Sequence, residues 1–413
     1  MCHEKDQAAR RWLRYFVSES HTEEGTRSRV RDAAGFCPAH TRYLLAHESH
    51  PWLMPQVHEL ALAGGRRLLG AKARPTRCPA CGAGIDAAER ALATVLRAFD
   101  HDDVRQAVTC EALCLPHLTL LATNCPPAQG RPLAQAAGDR LAHAPYGVDW
   151  LAGSDADAEA RAGMLDQLEP LVMDEEQHPG SVAARWRRDL AVACCPLCLA
   201  QHRGVRRLLI WAVAAQGHGR PASEESILCA RHLHDLAAVS GPNAEALFRA
   251  NADAWRTRLV RFAGPPQDGT PAQGRAVALL LAAPPCRACE EERLCAVRQR
   301  ALLTAQLLDD RQARAYARSH GICLHHALTW TGPLPDVVRS VLSGRMAVLG
   351  WEVDEALRKQ DWRTRHEPRS DEVTVGRRAP TLLDGRVYGG LPPPPYTLQD
   401  SSALAPPTNG RKA

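Results

Sequence analysis

The chain has little of what β-structure needs. Aromatic residues make up 5% of its 413 residues, and isoleucine occurs only four times. Strands favour β-branched and aromatic side chains, whereas the abundant Ala, Leu and Arg are good helix formers. The composition therefore predicts an all-α protein, and the length exceeds that of one ordinary core, so we expect several compact units.

Lysine is also scarce, with four Lys among 51 basic residues. Arginine in place of lysine throughout a chain rich in Ala, Gly and Pro is typical of a GC-rich genome, so it says little about function. The basic residues alternate with acidic ones and form no blocks, which is typical of solvated helix faces. The formal net charge of +5 is therefore only a mild indication of an anionic partner.

Long apolar runs and familiar catalytic motifs are missing as well. The longest runs, "LLIWAVAA" and "AVALLLAA", are about half of a bilayer span, and the start "MCHEKDQAARRW" has no apolar leader. We expect a soluble, cytoplasmic protein without a membrane partner. A reducing compartment favours metal binding or redox chemistry over structural disulfides for the fifteen cysteines. Without a phosphate-binding loop, a GxSxG or an HExxH, the sequence favours a protein that is not an enzyme.

What the chain does contain is a repeated cysteine pattern. Cys-x-x-Cys occurs three times, and each copy is followed by Cys-x-x-His after 32, 30 and 33 intervening residues. Pairing each Cys-x-x-Cys with the next Cys-x-x-His predicts three quartets. They are Cys78, Cys81, Cys114 and His117; Cys195, Cys198, Cys229 and His232; and Cys286, Cys289, Cys323 and His326.

Each quartet offers three thiolates and one imidazole. Two cysteines on a tight turn can reach one tetrahedral ion, and a Cys and His at i and i+3 in the first turn of a helix share a face. Such a closed Cys₃His set is typical of structural zinc, with an iron–sulfur cluster as the minor alternative. A thioredoxin-like redox pair would need a βαβ context, which the sequence lacks.

A fourth Cys-x-x-His lies near the start, at Cys37 and His40. Counting back by the same spacing reaches Cys2, at the place of a second Cys-x-x-Cys cysteine. We expect Cys2, Cys37 and His40 to belong to a fourth metal module that lacks one cysteine. Either the missing cysteine lies upstream of Met1, or His3 or water completes a three-ligand site. The sequence thus predicts three zinc ions per chain, or up to four.

The stretches between the motifs read as amphipathic helices, and Asp pairs at 102–103 and 309–310 suit helix N-caps. The predicted organisation is a series of metal-stapled helical modules with a Pro-, Gly- and Ser-rich disordered tail. The predicted segments are 1–74 with the incomplete site, 75–150, a partly helical linker 151–191, 192–265, 283–363 and the tail 364–413.

The remaining cysteines are interpreted as packing residues, namely Cys110, Cys125, Cys194 and Cys295. Cys194 adjoins Cys195 and could replace it as a ligand, but the Pro after Cys195 matches "CPAC" better. The extra histidines are interpreted as surface or packing residues, namely His3, His21, His47, His50, His202, His234 and His325.

The phrase "WLRYFVSESHTEEGTRSRVRDAAGFCPAHTRYLL", with Cys37 and His40 and the three quartets, resembles an uncharacterised bacterial family. Its members carry CPxC, two helices, a Gly-x-Cys-x-x-His motif and a further helix. The resemblance implies tandem, divergent, metal-bound helical modules and no particular activity. This chain departs from the pattern at the missing cysteine and where "ESILC" replaces the Gly-containing approach.

Three functions remain open from the sequence. The first is a zinc-binding helical repeat protein that acts as a structural scaffold for another protein. The second is a nucleic-acid-binding regulator, which the charge weakens further, because each Zn²⁺ with three thiolates carries a net negative charge and no Arg-rich helix is evident. The third is a thiol-based redox or metal sensor, because oxidation releases thiolate-bound zinc.

Overall fold

The structure is a computed structural model that describes most of the chain. The described residues are 1–46, 53–108, 113–143, 148–155, 194–217, 228–238, 244–264 and 286–385, with single positions at 158, 161 and 190.

The described residues are almost wholly helical and include no strand, which confirms the all-α prediction. Within the described ranges, two 3₁₀ turns, Ser20–Thr22 and Asp371–Thr374, accompany the helices. No helix among the described ranges is long and apolar enough to cross a membrane. The helices are α1 Cys2–Ser18, α2 Glu24–Asp32, α3 Pro38–Ala46, α4 Leu53–Ala71, α5 Pro79–Ala98, α6 Asp102–Ala107, α7 Leu115–Asn124, α8 Pro127–His143, α9 Val148–Ala152, α10 Pro196–Gly217, α11 Ala230–Ala238, α12 Ala244–Ala263, α13 Arg287–Gln306, α14 Asp310–Arg318, α15 Leu324–Leu328, α16 Asp336–Arg358 and α17 Val375–Leu383.

Both Asp pairs lie at helix starts, but only the second pair contains the N-cap residue. Asp309 is the N-cap of α14, and its Oδ1 accepts from the Gln312 amide at 2.9 Å. The first pair instead falls inside the first turn of α6, whose N-cap is His101. Both arrangements put carboxylates at the positive end of a helix dipole.

Apolar residues at helical spacing form the cores. Along α16 the buried side chains follow a 3.6-residue period, which makes one face apolar and leaves the other for solvent; they are Val338, Leu342, Met346, Leu349 and Val353. Some of the scarce aromatic residues pack together in the core beside α1. There Trp12 stacks on Phe16 with ring centroids 5.6 Å apart, and Phe36 meets Phe16 edge-on at 5.3 Å.

Helices that begin at a Cys-x-x-Cys motif, or at Cys2 in the case of α1, pack against one another. α1 packs along α5, and α10 packs along α13. Both pairs approach closely: a Cβ at Gly84 of α5 would lie 2.9 Å from the Lys5 carbonyl oxygen, and one at Gly204 of α10 would lie 2.3 Å from Cys295 Sγ. The helices that follow the Cys-x-x-His motifs also pair, α8 with α12 and α4 with α16.

The folded part of the chain extends beyond the predicted start of the tail at residue 364. The 3₁₀ turn Asp371–Thr374 leads into α17, which packs on α4 and α16 and buries Val375 and Ala379. Sequence analysis missed this helix because Pro380 and Gly376 lie inside it and the surrounding composition is polar. Most of the predicted linker 151–191 and the residues after 385 lie outside the described ranges. The segment boundaries stay predictions.

Candidate metal centres

All fifteen predicted ligands come together in four clusters whose ligand atoms lie within 4.8 Å of one another. Each cluster is named by its first cysteine. The Cys37 cluster contains Cys37, His40, Cys78 and Cys81; the Cys2 cluster contains Cys2, Cys114 and His117; the Cys195 cluster contains Cys195, Cys198, Cys323 and His326; and the Cys229 cluster contains Cys229, His232, Cys286 and Cys289.

The pairing predicted along the chain is wrong for every cluster. Cys78 and Cys81 meet Cys37 and His40 rather than Cys114 and His117. Cys2 takes the place of Cys78 and Cys81 beside Cys114 and His117. The predicted set of Cys2, Cys37 and His40 is therefore not formed.

The second half of the chain shows the same exchange. Cys195 and Cys198 meet Cys323 and His326, while Cys229 and His232 meet Cys286 and Cys289. Within each half the outer motifs join each other and the inner motifs join each other. The reason is the packing of α1 on α5 and of α10 on α13, which brings each Cys-x-x-Cys beside the Cys-x-x-His of the neighbouring segment.

The distances fit a single tetrahedral ion. Zinc bonds of roughly 2.3 Å to sulfur and 2.0–2.1 Å to nitrogen imply ligand atoms about 3.5–3.8 Å apart. In the Cys195 cluster, Cys198 Sγ lies 3.8 Å from Cys323 Sγ, and His326 Nδ1 lies 3.2–3.5 Å from the three sulfurs. The Cys37 and Cys229 clusters have the same contacts at 3.2–3.6 Å. These sulfur separations are far too long for disulfides.

Every cluster lies where helices begin. Cys78, Cys114, Cys286 and Cys323 are the N-caps of α5, α7, α13 and α15, so each motif places its second ligand in the first helical turn. The carbonyl of Cys114, for example, accepts from the Leu118 amide at 2.9 Å. Two helix N-termini therefore point their positive ends at one group of thiols, which favours thiolates. All four histidines present Nδ1 to the sulfurs.

The Cys195 cluster is the most enclosed, since all four of its ligands are buried. His326 turns its Nε2 to Gln201 Oε1 at 2.9 Å. This hydrogen bond fixes the ring orientation and leaves Nδ1 as the ligand atom. A metal-bound histidine usually makes such a hydrogen bond through its other ring nitrogen.

The Cys229 cluster is more open, because Cys289 is exposed. Its histidine lies among carboxylates: Asp235 and Glu292 each place an oxygen 3.9 Å from His232 Nε2. Asp235 is held in turn by the buried Arg161, at 2.8 Å from its Nε. The negative charges of Asp235 and Glu292 favour the binding of a cation at the cluster.

The Cys2 cluster brings together three ligands of the described chain. Cys2 Sγ lies 3.4 Å from Cys114 Sγ and 3.2 Å from His117 Nδ1. Hydrogen bonds from Cys114 and His117 lower the pKa of Cys2 to about 3, with a further contribution from the backbone of Ser154. The same contact with Cys2, together with burial, raises the pKa of Cys114 above its ordinary value.

Neighbouring thiols in the other clusters also have pKa values shifted in opposite directions. The pKa of Cys286 falls to about 3, chiefly through its hydrogen bond with Cys229, and the pKa of Cys229 rises in response. Crowded thiols can therefore ionise one at a time but not together, because a second thiolate is repelled by the first. A divalent cation removes that penalty, so the donor sets fit a bound metal ion.

Two glycines that sequence analysis did not select lie directly on cluster sulfurs. Gly153 and Gly385 each follow a short helix and each have φ of +76°. A Cβ at Gly153 would lie 3.4 Å from the sulfurs of Cys2 and Cys114, and one at Gly385 would lie 2.2 Å from Cys198 Sγ. Positive φ favours glycine at both positions, and at Gly385 the close approach to Cys198 also excludes a side chain. No periodicity or spacing in the sequence marks these positions.

Replacing Gly385 by Val is expected to remove the metal ion of the Cys195 cluster. The added side chain meets Cys198 Sγ at a distance that real contacts do not show, so the cluster must open. Metal analysis of the purified variant should give about one equivalent less than the parent protein. Gly332→Val is the matched control, because Gly332 has φ of +86° and nothing within 4 Å of its Cβ position. Equal losses in both variants would attribute the effect to backbone strain alone.

The other cysteines and histidines lie outside the clusters where the structure describes them. The Cys195 cluster contains Cys195 and not Cys194, which is buried nearby. Cys125 is also buried, and Cys295 Sγ donates to Glu291 Oε1 at 3.3 Å. His234 is buried and bonds the Gly153 carbonyl at 2.8 Å. Cys110, His47 and His50 lie outside the described residues.

Comparisons of the chain with protein-family models, curated proteins and solved structures give no match. The resemblance to a bacterial family of tandem helical modules therefore stays a prediction. The four Cys/His clusters support its metal-binding part.

Proposed function

We propose that the chain is a zinc-binding protein without enzymatic activity, in which the ions staple helical modules into a scaffold for another protein. Three or four zinc ions per chain hold the helices, and the scaffold presents its outer helix faces to the partner. The modules are the repeats predicted from the sequence.

The observation that carries this proposal is the distance along the chain that the clusters bridge. Cys2 and Cys114 are 112 residues apart, and Cys198 and Cys323 are 125 residues apart. An ion bound between such segments restrains long loops of chain, which is what a structural site contributes to folding. Three clusters offer four protein ligands each, so they suit closed structural sites rather than open catalytic ones.

Zinc suits these donor sets better than the alternatives. Three thiolates and an imidazole at tetrahedral spacing are its preferred structural environment. An iron–sulfur cluster holds its cysteine ligands on several irons and needs their sulfurs farther apart than a single ion does. The sulfur separations of 3.4–3.8 Å favour the single ion.

A protein partner is supported by exposed apolar side chains. Val348 and Trp351 lie one turn apart on α16 and are 44% and 62% exposed, and Trp362 is 71% exposed just beyond that helix. Large aromatic side chains on a surface are typical of protein-binding sites. The nucleic-acid regulator and the thiol-based sensor stay predictions.

Zinc content tests the proposal directly. Protein purified under reducing, chelator-free conditions is expected to contain about three zinc ions per chain, or up to four. Cys125→Ser is the matched control, since Cys125 is a buried cysteine outside the clusters, and it should leave the zinc content unchanged. Metal-free or iron-containing protein would contradict the proposal.

A further inference from the structure

A groove of about 850 Å³ lies where the end of α16 and the start of α17 meet the end of α3 and the start of α4. Its volume falls within the roughly 300–1,000 Å³ of small-molecule sites. The floor is apolar, with lining side chains from α3, α4, α16, the 3₁₀ turn Asp371–Thr374 and α17. They are Leu45, Met54, Pro55, Ala356, Val373 and Val375.

Charged groups border one side of this groove. Lys359 is already paired, with its Nζ 2.9 Å from Glu372 Oε1 and 3.2 Å from Glu355 Oε1. Glu372 is satisfied too, because it also accepts from the Ser370 amide at 2.9 Å. Lys359 is therefore compensated by two carboxylates, and Glu355 also pairs with Arg358 at 2.7 Å.

Arg365 and Arg369 also line the groove, and they differ from Lys359. Both are exposed, and neither guanidinium has a hydrogen-bond or ion-pair partner among the described residues. The groove thus combines an apolar floor with two uncompensated positive charges at its edge. Arginine is suited to a planar carboxylate or a phosphate, which one guanidinium can bind through two parallel hydrogen bonds.

We propose that this groove binds a small amphipathic anion, with a phosphate or carboxylate head group on Arg365 and Arg369 and an apolar chain on the floor. The charge surplus selects an anion, and the apolar lining selects a head group that carries a hydrocarbon part over a free inorganic ion. This site contains no ligand of the four clusters, so its test is independent of the zinc proposal.

Calorimetric titration of the zinc-loaded full chain tests this proposal with four probes: octyl phosphate, octanoate, octanol and inorganic phosphate. Octyl phosphate or octanoate is expected to bind saturably at a single site, and the better of the two identifies the head group. Octanol and inorganic phosphate should each bind at least about tenfold more weakly, because each lacks half of the recognised chemistry.

Two variants locate the binding. The double variant Arg365→Ala/Arg369→Ala should weaken the preferred anion at least about tenfold. Arg363→Ala is the matched control, since Arg363 lies in the same segment over the Trp362 ring and does not line the groove. Ala356→Phe should block the floor and abolish binding while zinc content stays unchanged.

The arginine variants decide the matter even where Ala356→Phe fails to fold. Equal affinity for octanol and for the better of the two anions would overturn the proposal. So would unchanged binding by the arginine double variant, or the absence of saturable binding by any probe.

Discussion

Removing zinc from the reduced protein with a strong chelator is expected to abolish its cooperative thermal unfolding transition. Binding at a structural zinc site contributes on the order of 10–16 kcal/mol in zinc-finger peptides. A whole domain is stable by only about 5–15 kcal/mol. The free energy lost with the ions is therefore large enough to unfold the helices that the clusters hold. We expect a marked fall in the helical circular dichroism signal.

The electrostatics of the clusters lead to the same expectation. Within the Cys195 cluster, contact with Cys195 raises the pKa of Cys198, because two thiolates so close together repel. Without a cation the thiols of this buried cluster are polar groups with poor partners, and burying such groups costs free energy. A divalent cation bound by the thiolates would compensate both penalties at once.

Circular dichroism and a thermal melt before and after chelation provide the measurement. Added zinc should restore the transition, which separates metal loss from irreversible damage. The metal content of each sample has to be determined alongside. A metal-free, reduced sample with the same helical signal and the same Tm would contradict a structural role for the ions.

The helices were largely predictable from the sequence because the evidence for them is local. The amphipathic stretch "PDVVRSVLSGRMAVLGWEVDEAL" forms α16, Asp336–Arg358, and its apolar period is the face that the structure buries. The stretch after Cys286 likewise forms α13, Arg287–Gln306. In each case the composition and the apolar period of a single segment are sufficient to predict the helix.

The ligands were predictable for the same reason, but their partners were not. Cys-x-x-Cys and Cys-x-x-His each fix two ligand atoms within one helical turn, so their spacing indicates chemistry. Which pair meets which depends on how α1 packs on α5 and α10 on α13, and that is decided by side chains along whole helices. The similar intervals between motifs contain no information about this choice.

The glycines at the clusters were hidden for a related reason. Gly385 lies far from Cys198 in sequence, and only the course of α17 brings it against the sulfur. His234 is a similar case. Its helix, α11, carries His232 of the Cys229 cluster, while His234 bonds the carbonyl of Gly153 beside the Cys2 cluster. One short helix therefore connects two of the Cys/His clusters.

Substitution of two ligands in one cluster is expected to cost no more zinc than substitution of one. Cys198→Ser and Cys323→Ser each damage the Cys195 cluster, so their effects on zinc content should not add. Cys198 and Cys229 belong to different clusters, and their effects should add. Pairing in chain order predicts the opposite, because it places Cys198 with Cys229 and Cys323 with Cys286.

The most direct test of this arrangement is the zinc content of two double variants after dialysis against a chelator of moderate affinity. Cys198→Ser/Cys323→Ser should lose about one equivalent, and Cys198→Ser/Cys229→Ser about two. The reverse result, two equivalents lost in the first variant and one in the second, would contradict the exchanged pairing of the clusters.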